Sequence, residues 1–296
     1  MTTDPSQAPL PGVDERRVSV GECTLNVAEG GSGPAVLLLH GFPDRWQLWQ
    51  HQIPALIDAG YRVIAPDLRG FGESDRPAEV SAYALPRLVG DVRGLLDALE
   101  VDRVAVVGHD WGAGLAWGVA AGLPDRVRSL TVLSVGHGMT RAAAGEQQRR
   151  LSWYMLWFLF PGVAEQVLPA DDWAAFRQWA WAGTAPDDPD VDRQIAGLAR
   201  PGALTAALNW YRANIDPAHY IALRPGSRFT PIGCPTMGVW SSADEFLGEE
   251  QMTASEDFVT GPWRYERLDG VSHWIPVHAP NRLNALLLDF LRSGPD

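Results

Sequence analysis

The chain reads as an α/β protein: a mostly parallel, twisted sheet, interrupted late by an inserted block that is helical throughout. Three observations predict this. Short runs that are apolar at every position, as strands covered on both faces require, alternate with amphipathic helical segments through the first half of the chain. The alternation stops at about residue 138, and helix follows helix to 228. A strand-like pattern then resumes and leads into one last helix.

Taken in order, a Pro-rich leader gives way to alternation over 17–29, the pattern of two short strands joined at Gly21-Glu22. The run AVLLL at 35–39 ends in His40-Gly41, and RVIAP follows at 62–66. VAVV at 104–107 ends at Gly108, and LTVLSV at 130–135 ends at Gly136. Helical periodicity fills the gaps at 46–59, 85–99 and 112–121, strands return at 235–240 and 263–268, and a helix covers 281–291. The expected organisation is a core in two parts, 1–137 and 229–296, with a helical cap at 138–228 between the sixth and seventh strands. Six of the 13 tryptophans fall in that cap: Trp153, Trp157, Trp173, Trp179, Trp181 and Trp210. A helical insertion at the carboxyl edge of a parallel sheet roofs the crevice where such sheets bind ligands, so the cap is expected to act as a lid.

Composition excludes several functions. The 24 basic residues, all Arg, face 36 acidic ones, for a formal net charge of −12. That balance argues against nucleic acid as a partner. With no Lys, a Schiff-base, P-loop or general-base lysine is excluded. His and Cys are scattered without ligand spacing, so no metal is expected, and no dinucleotide fingerprint calls for a cofactor. The apolar run at 155–160 is too short to span a bilayer, and the first residues lack a basic and an apolar region, so the expected setting is cytoplasmic, without a membrane partner. Cys23 and Cys234 are expected as inert reduced thiols. No feature specifies an oligomeric state.

Gly108-His109-Asp110-Trp111-Gly112 lies between a strand and a helix, the strand–turn–helix setting of a nucleophile elbow with Asp in place of Ser. The motif alone also fits an Asp capping a helix; its partners decide. Elbow enzymes carry nucleophile, acid and histidine in that order, and here Asp244 follows the strand at 235–240 while His273 follows the one at 263–268. Glu245 is the rival acid. His109 lies within the elbow with its side chain directed away, His40 is expected to shape the neighbouring turn, and His137 after the sixth strand is a candidate pocket wall. His40-Gly41-Phe42-Pro43 follows AVLLL, where the Phe42 and Trp111 N–H groups can converge on one oxyanion; an ordinary strand-end turn remains the alternative. The Phe42-Pro43 bond is a candidate cis peptide.

An ionised carboxylate needs no base to attack, and it displaces leaving groups at saturated carbon better than it attacks stable esters. His273 then activates water against the resulting Asp110 ester, and Asp244 orients His273. Substrates of this chemistry are epoxides or alkyl halides. Epoxide opening needs acidic hydrogens, which Tyr hydroxyls supply; halide release needs indole or amide N–H donors. The cap holds Tyr154, Tyr211 and Tyr220, the last expected to pack at the cap's return.

These motifs resemble the α/β-hydrolase fold, and within it the soluble epoxide hydrolases: HGFP at 40–43 with Trp46, DLRGFGES at 67–74, GHDWGA at 108–113, GVSHW at 270–274, and Tyr154 and Tyr211 in the settings YMLWFLFPGVAE and LNWYR. The resemblance spans about 20–293. It implies Asp110 as nucleophile, His273 as water-activating base, Asp244 as orienting acid, and Tyr154 with Tyr211 as ring-opening proton donors. The sequence departs from that pattern at 244–247, where Asp-Glu-Phe-Leu stands in place of Asp-Pro, and at 135–139. A haloalkane dehalogenase, using Trp111 and a cap Trp as halide donors, is the enzymatic alternative; it leaves the two tyrosines idle and meets Phe at position 42. A non-catalytic ligand-binding homologue is a further alternative. Phe42, Trp111, His137, Trp157 and Trp274 are expected to line an apolar pocket, implying a small apolar epoxide and water as the reactants.

Overall fold

The computed structural model describes residues 10–142, 145–180, 188–218 and 230–293. Eight strands form one sheet: β1 (Val13–Ser19), β2 (Thr24–Gly30), β3 (Ala35–Leu39), β4 (Arg62–Pro66), β5 (Val104–His109), β6 (Val127–Leu133), β7 (Thr236–Ala243) and β8 (Trp263–Ser272). Their order is β1-β2-β4-β3-β5-β6-β7-β8. β1 and β2 pair antiparallel, β2 is antiparallel to β4, and β3 to β8 are mutually parallel.

The continuous apolar runs are explained by cover on both faces. In β3, Leu37 and Leu39 enter one core while Val36 and Leu38 enter the other; Val104 and Val106 of β5 part from Ala105 and Val107 in the same way. Helices α2 (Leu85–Ala98) and α3 (Trp111–Gly122) fill the first face through Leu88, Val92, Leu95, Ala116 and Val119. Helix α1 (Gln52–Asp58) and the last helix, α12 (Pro280–Ser293), fill the second through Ile53, Leu56, Leu283 and Leu287. The helix expected over 46–59 is divided into a 3-10 turn, Trp46–Trp49, and α1. Pro54 is the reason: it lacks an N–H and is tolerated only in a first helical turn, where α1 places it.

Between β6 and β7 lie α4 (Gly145–Leu151), α5 (Trp153–Phe158), α6 (Val163–Val167), α7 (Ala170–Ala180), α8 (Pro189–Leu198) and α9 (Ala203–Asn214). After β7 come α10 (Glu249–Thr253) and, after β8, α11 (Ile275–His278). Polar ties join the helical block to the sheet's carboxyl edge. The Trp210 indole N–H donates to the Arg69 carbonyl at 2.9 Å. Gln194 donates to Asp44 at 2.9 Å, and the buried Arg193 pairs with the same carboxylate at 3.3 Å. Gln148 clamps the loop after β7, donating to the Phe246 carbonyl at 2.8 Å and accepting the Gly248 N–H at 2.9 Å. The expected cap boundary at 228, with Trp181 and Tyr220, lies outside the described residues. Cys23 is buried, Cys234 is half-buried, and both are free thiols. Among the described residues no helix is long and apolar enough to cross a membrane, and no group of His, Cys, Asp and Glu could hold a metal ion.

Candidate active site

The parallel register brings the motifs together. Leu39 pairs with Gly108, so the turns leaving β3 and β5 emerge side by side, while β7 and β8 deliver their loops to the same edge. Asp110 sits between β5 and α3 with φ +52°, a conformation rare outside glycine, as a sharp elbow requires. The close quarters explain the glycines. A Cβ on Gly112 would come within 2.1 Å of the Leu39 carbonyl oxygen, and one on Gly41 within 2.4 Å of the Asp110 side chain.

The Phe42 N–H donates to Asp110 Oδ1 at 2.8 Å. Burial pushes the Asp110 carboxyl above the usual carboxylate range, opposed by the nearby His273 and by the Trp111 and Phe42 backbone N–H groups. The turn that presents Phe42 is held from behind. His40 Nδ1 donates to the Gly41 carbonyl at 2.9 Å, and its Nε2 accepts the Leu68 N–H at 2.9 Å. That acceptor role demands a neutral ring, and burial lowers the His40 pKa to about 4. The Phe42-Pro43 peptide is cis.

His273 Nε2 lies 3.8 Å from Asp110 Oδ2, and its Nδ1 lies 2.8 Å from Asp244 Oδ2. The other Asp244 oxygen accepts the N–H groups of Phe246 at 2.9 Å and Leu247 at 3.0 Å. Glu245 is exposed. Burial works against a charged His273, but Asp244, and after it Asp110, outweigh burial and raise its pKa above 6.5. His109 points behind the site, its Nε2 2.9 Å from the His273 carbonyl oxygen, and so holds the backbone of His273 rather than any reacting atom.

Tyr154 on α5 and Tyr211 on α9 are both buried, their rings 6.2 Å apart. Tyr211 meets Trp111 edge to face at 5.0 Å and Phe42 at 5.6 Å. Burial, then Tyr154 and Asp110, drive the Tyr211 hydroxyl well above its usual pKa, against the Trp111 indole, so it is a neutral donor near pH 7. One narrow pocket is lined by Asp110, His273, both tyrosines, Phe42, Pro43, Trp179, Ala180, Phe246 and Trp274. One carboxylate, one imidazole and two phenol hydroxyls thus face a single space whose remaining walls are apolar. Such a set can alkylate a carboxylate, protonate the leaving oxygen and hydrolyse the ester.

Three expected pocket residues are not in this lining: Trp111 packs edge to face on Tyr211, and His137 and Trp157 lie elsewhere. His137 stacks on Phe258 at 4.6 Å and meets Trp117 at 5.2 Å, because β6 ends early at Leu133 and the chain turns away through Ser134 at φ +68°. Trp157 is half-buried and stacked on the exposed Trp153 at 6.3 Å, since the buried face of α5 is made by Tyr154, Met155 and Phe158. Trp179 and Phe246 line the cavity without having been singled out. Trp179 carries no local signal separating it from the other cap tryptophans. Phe246 has none either; the loop that carries Asp244 brings its ring to 5.2 Å from that of His273.

Comparison with known proteins places these features in a family. Residues 34–280 match the model of the alpha/beta hydrolase fold. The chain is 34% identical to Epoxide hydrolase A of Mycobacterium tuberculosis, over 94% of this chain and 97% of that protein. It is 33% identical to the AB hydrolase superfamily protein YfhM of Bacillus subtilis, over 96% of this chain and all of the other. Among solved structures, Epoxide Hydrolase A from Mycobacterium thermoresistibile superposes with a TM-score of 0.79 at 34% identity, covering 96% of this chain and 99% of that one. A structure described among novel epoxide hydrolases in metagenomes from hot environments superposes with a TM-score of 0.83 at 30% identity, covering 94% and 98%.

Proposed function

The chain belongs to the α/β-hydrolase fold family, and on that footing we propose the following cycle for it as an epoxide hydrolase. The observation that carries the assignment of residues is the pair of buried tyrosines sharing one apolar cavity with Asp110 and His273.

Asp110 Oδ1 is engaged by the Phe42 N–H, which leaves Oδ2 to attack. Oδ2 bonds to a ring carbon, that carbon's bond to the ring oxygen breaks, and Tyr154 or Tyr211 delivers a proton to the departing oxygen. Water then attacks Cγ of the Asp110 ester while His273 Nε2 takes its proton. Charge collects on Oδ1, where the N–H groups of Phe42 and Trp111 receive it. Asp244 holds the imidazolium; collapse of the intermediate expels the diol's second oxygen, which takes the single proton held by His273, and the remaining carboxylic-acid proton passes to the tyrosinate, so that the Asp110 carboxylate, the neutral histidine and the tyrosine are all restored. Alkylation has a useful electrostatic consequence. Asp110 is one of the charges that raise the His273 pKa, and the ester is neutral, so the histidine becomes more readily neutral at the moment it must act as a base.

The aromatic walls favour a small apolar epoxide over a charged one, and the described helices between β6 and β7 act as the cap that closes over it. A halide-displacing reading is weaker here, because the Trp111 indole that would bind halide already acts on the Tyr211 hydroxyl. A cytoplasmic setting belongs to the same proposal and is supported by the two free thiols.

Styrene oxide and 1-bromobutane, offered separately, test the reaction class: diol without bromide is expected, and bromide without diol would overturn it. His273→Gln should accumulate protein heavier by one substrate, located on Asp110 by peptide mapping. Label on any other residue, or none while the wild type turns over, would refute the nucleophile.

A further inference from the structure

We propose that Arg212 is a positioning residue that sets the separation of Tyr154 and Tyr211, and with it the rate of ring opening. The inference rests on the reading of those tyrosines as proton donors. It starts from a hydrogen-bond inventory. A guanidinium has five N–H donors in a rigid plane, and in Arg212 all five are used. Nε donates to the Phe158 carbonyl at 3.1 Å. One terminal nitrogen donates to Glu165 Oε1 at 2.8 Å and to Asn209 at 3.3 Å. The other donates to Glu165 Oε2 at 3.0 Å and to the Phe160 carbonyl at 3.4 Å. The Arg212 side chain is only 8% exposed, so these bonds are largely screened from water.

The placement of those acceptors gives the arrangement its meaning. Arg212 follows Tyr211 directly on α9. Phe158 lies one turn beyond Tyr154 and is the last residue of α5, with Phe160 just past its end. Two carbonyls at the end of the Tyr154 helix are therefore bonded to the residue adjoining Tyr211. Glu165 completes the clamp: besides forking onto Arg212, its Oε2 accepts the Gly162 N–H at 3.0 Å, holding the turn that leads from α5 into α6. Burial opposes a charged Glu165, yet Arg212 keeps its pKa below the usual value, so the ion pair persists at neutral pH. The clamp bonds no atom of the cavity lining and touches neither His273 nor Asp244. It therefore acts on the step that uses the tyrosines and leaves the step that uses His273 alone.

That split is what the experiment reads. Wild type, Arg212→Gln, Arg212→Lys and Glu165→Gln are mixed with styrene oxide in single-turnover rapid quench, and intact-protein mass follows the rise and decay of the ester. Misplacing a donor by about 1 Å costs up to about 100-fold, so Arg212→Gln should slow ester formation by about that factor while ester decay keeps the wild-type rate. Arg212→Lys, which keeps the charge but lacks the planar fork, should fall between the two. Should Arg212→Gln fail to fold, Glu165→Gln, which leaves the bonds to Phe158 and Asn209 in place, carries the same expectation at about 10-fold. Equal slowing of both steps, or unchanged ester formation, in enzymes whose wild type completes the cycle would overturn the clamp alone. A wild type that forms neither ester nor diol would overturn the underlying reading and this role together.

Discussion

Replacing Asp244 by Asn changes one atom of the site, and the structure dictates how the amide must sit. The Asp244 side chain is fully buried, and one of its oxygens accepts two N–H groups, from Phe246 and Leu247. Turning the amide nitrogen toward those donors would leave both unpaired at about 1–3 kcal/mol each, so the carbonyl oxygen stays there and the NH₂ faces His273. His273 Nδ1, 2.8 Å away, must then accept, which places the ring proton on Nε2, the nitrogen nearest Asp110. A protonated Nε2 cannot take a proton from water, and the imidazolium loses its counter-charge. In Ser-His-Asp triads the same substitution produces the wrong tautomer and costs about 10⁴-fold, which is about 5.5 kcal/mol. The loss here should fall on ester hydrolysis, since alkylation does not use His273 as a base. In single-turnover experiments with styrene oxide, Asp244→Asn should form the ester and retain it, after a mass check that excludes deamidation. Glu245→Gln, at an exposed position, should behave as wild type. Hydrolysis by Asp244→Asn within about tenfold of wild type would refute the tautomer argument, and loss of hydrolysis in Glu245→Gln instead would reassign the acid.

Other expectations follow from the same geometry. Tyr154→Phe and Tyr211→Phe should each slow ester formation, and the double variant by about 10³-fold, with decay of any ester formed unchanged; a double variant alkylated at the wild-type rate would remove the tyrosines from the mechanism. A base works in its neutral form, above its pKa. Because Asp110 contributes to the raised His273 pKa only while ionised, the acid limb of the hydrolysis step should lie below the His273 midpoint that NMR measures in the free enzyme, and a limb at or above that midpoint would contradict the electrostatic reading. In Gly41→Ala the new Cβ, 2.4 Å from Asp110 Oδ1, must push the carboxylate off the Phe42 N–H; hydrolysis should fall by about 10²–10³-fold, measured by the same quench, and an unaffected rate would mean that the turn can relax.

The order of elements was legible along the chain because strands covered on both faces, such as β3 with Val36 and Leu38 to one side and Leu37 and Leu39 to the other, must be apolar throughout. The elbow and the order of Asp110, Asp244 and His273 were legible for a related reason: parallel strands bring all their carboxyl ends to one edge, so position after a strand is already position in space. Position within the cap has no such rule. Trp157 and Trp179 are chemically equal in the sequence, and only the packing of α5 and α7 keeps the first out of the pocket lining and turns the second into it. His137 left the site because β6 ended two residues short of its apolar run and turned at Ser134. Asp244, not Glu245, meets His273 because the loop after β7 buries Asp244 2.8 Å from Nδ1, with two backbone N–H groups on its other oxygen, and leaves Glu245 exposed. What the sequence determined by itself was periodicity and chain order, which depend on neighbours a few residues apart. The tertiary structure decided which side chains face the cavity and the bonds that place Tyr211 against Tyr154, because these depend on contacts between segments whose separation along the chain carries no pattern.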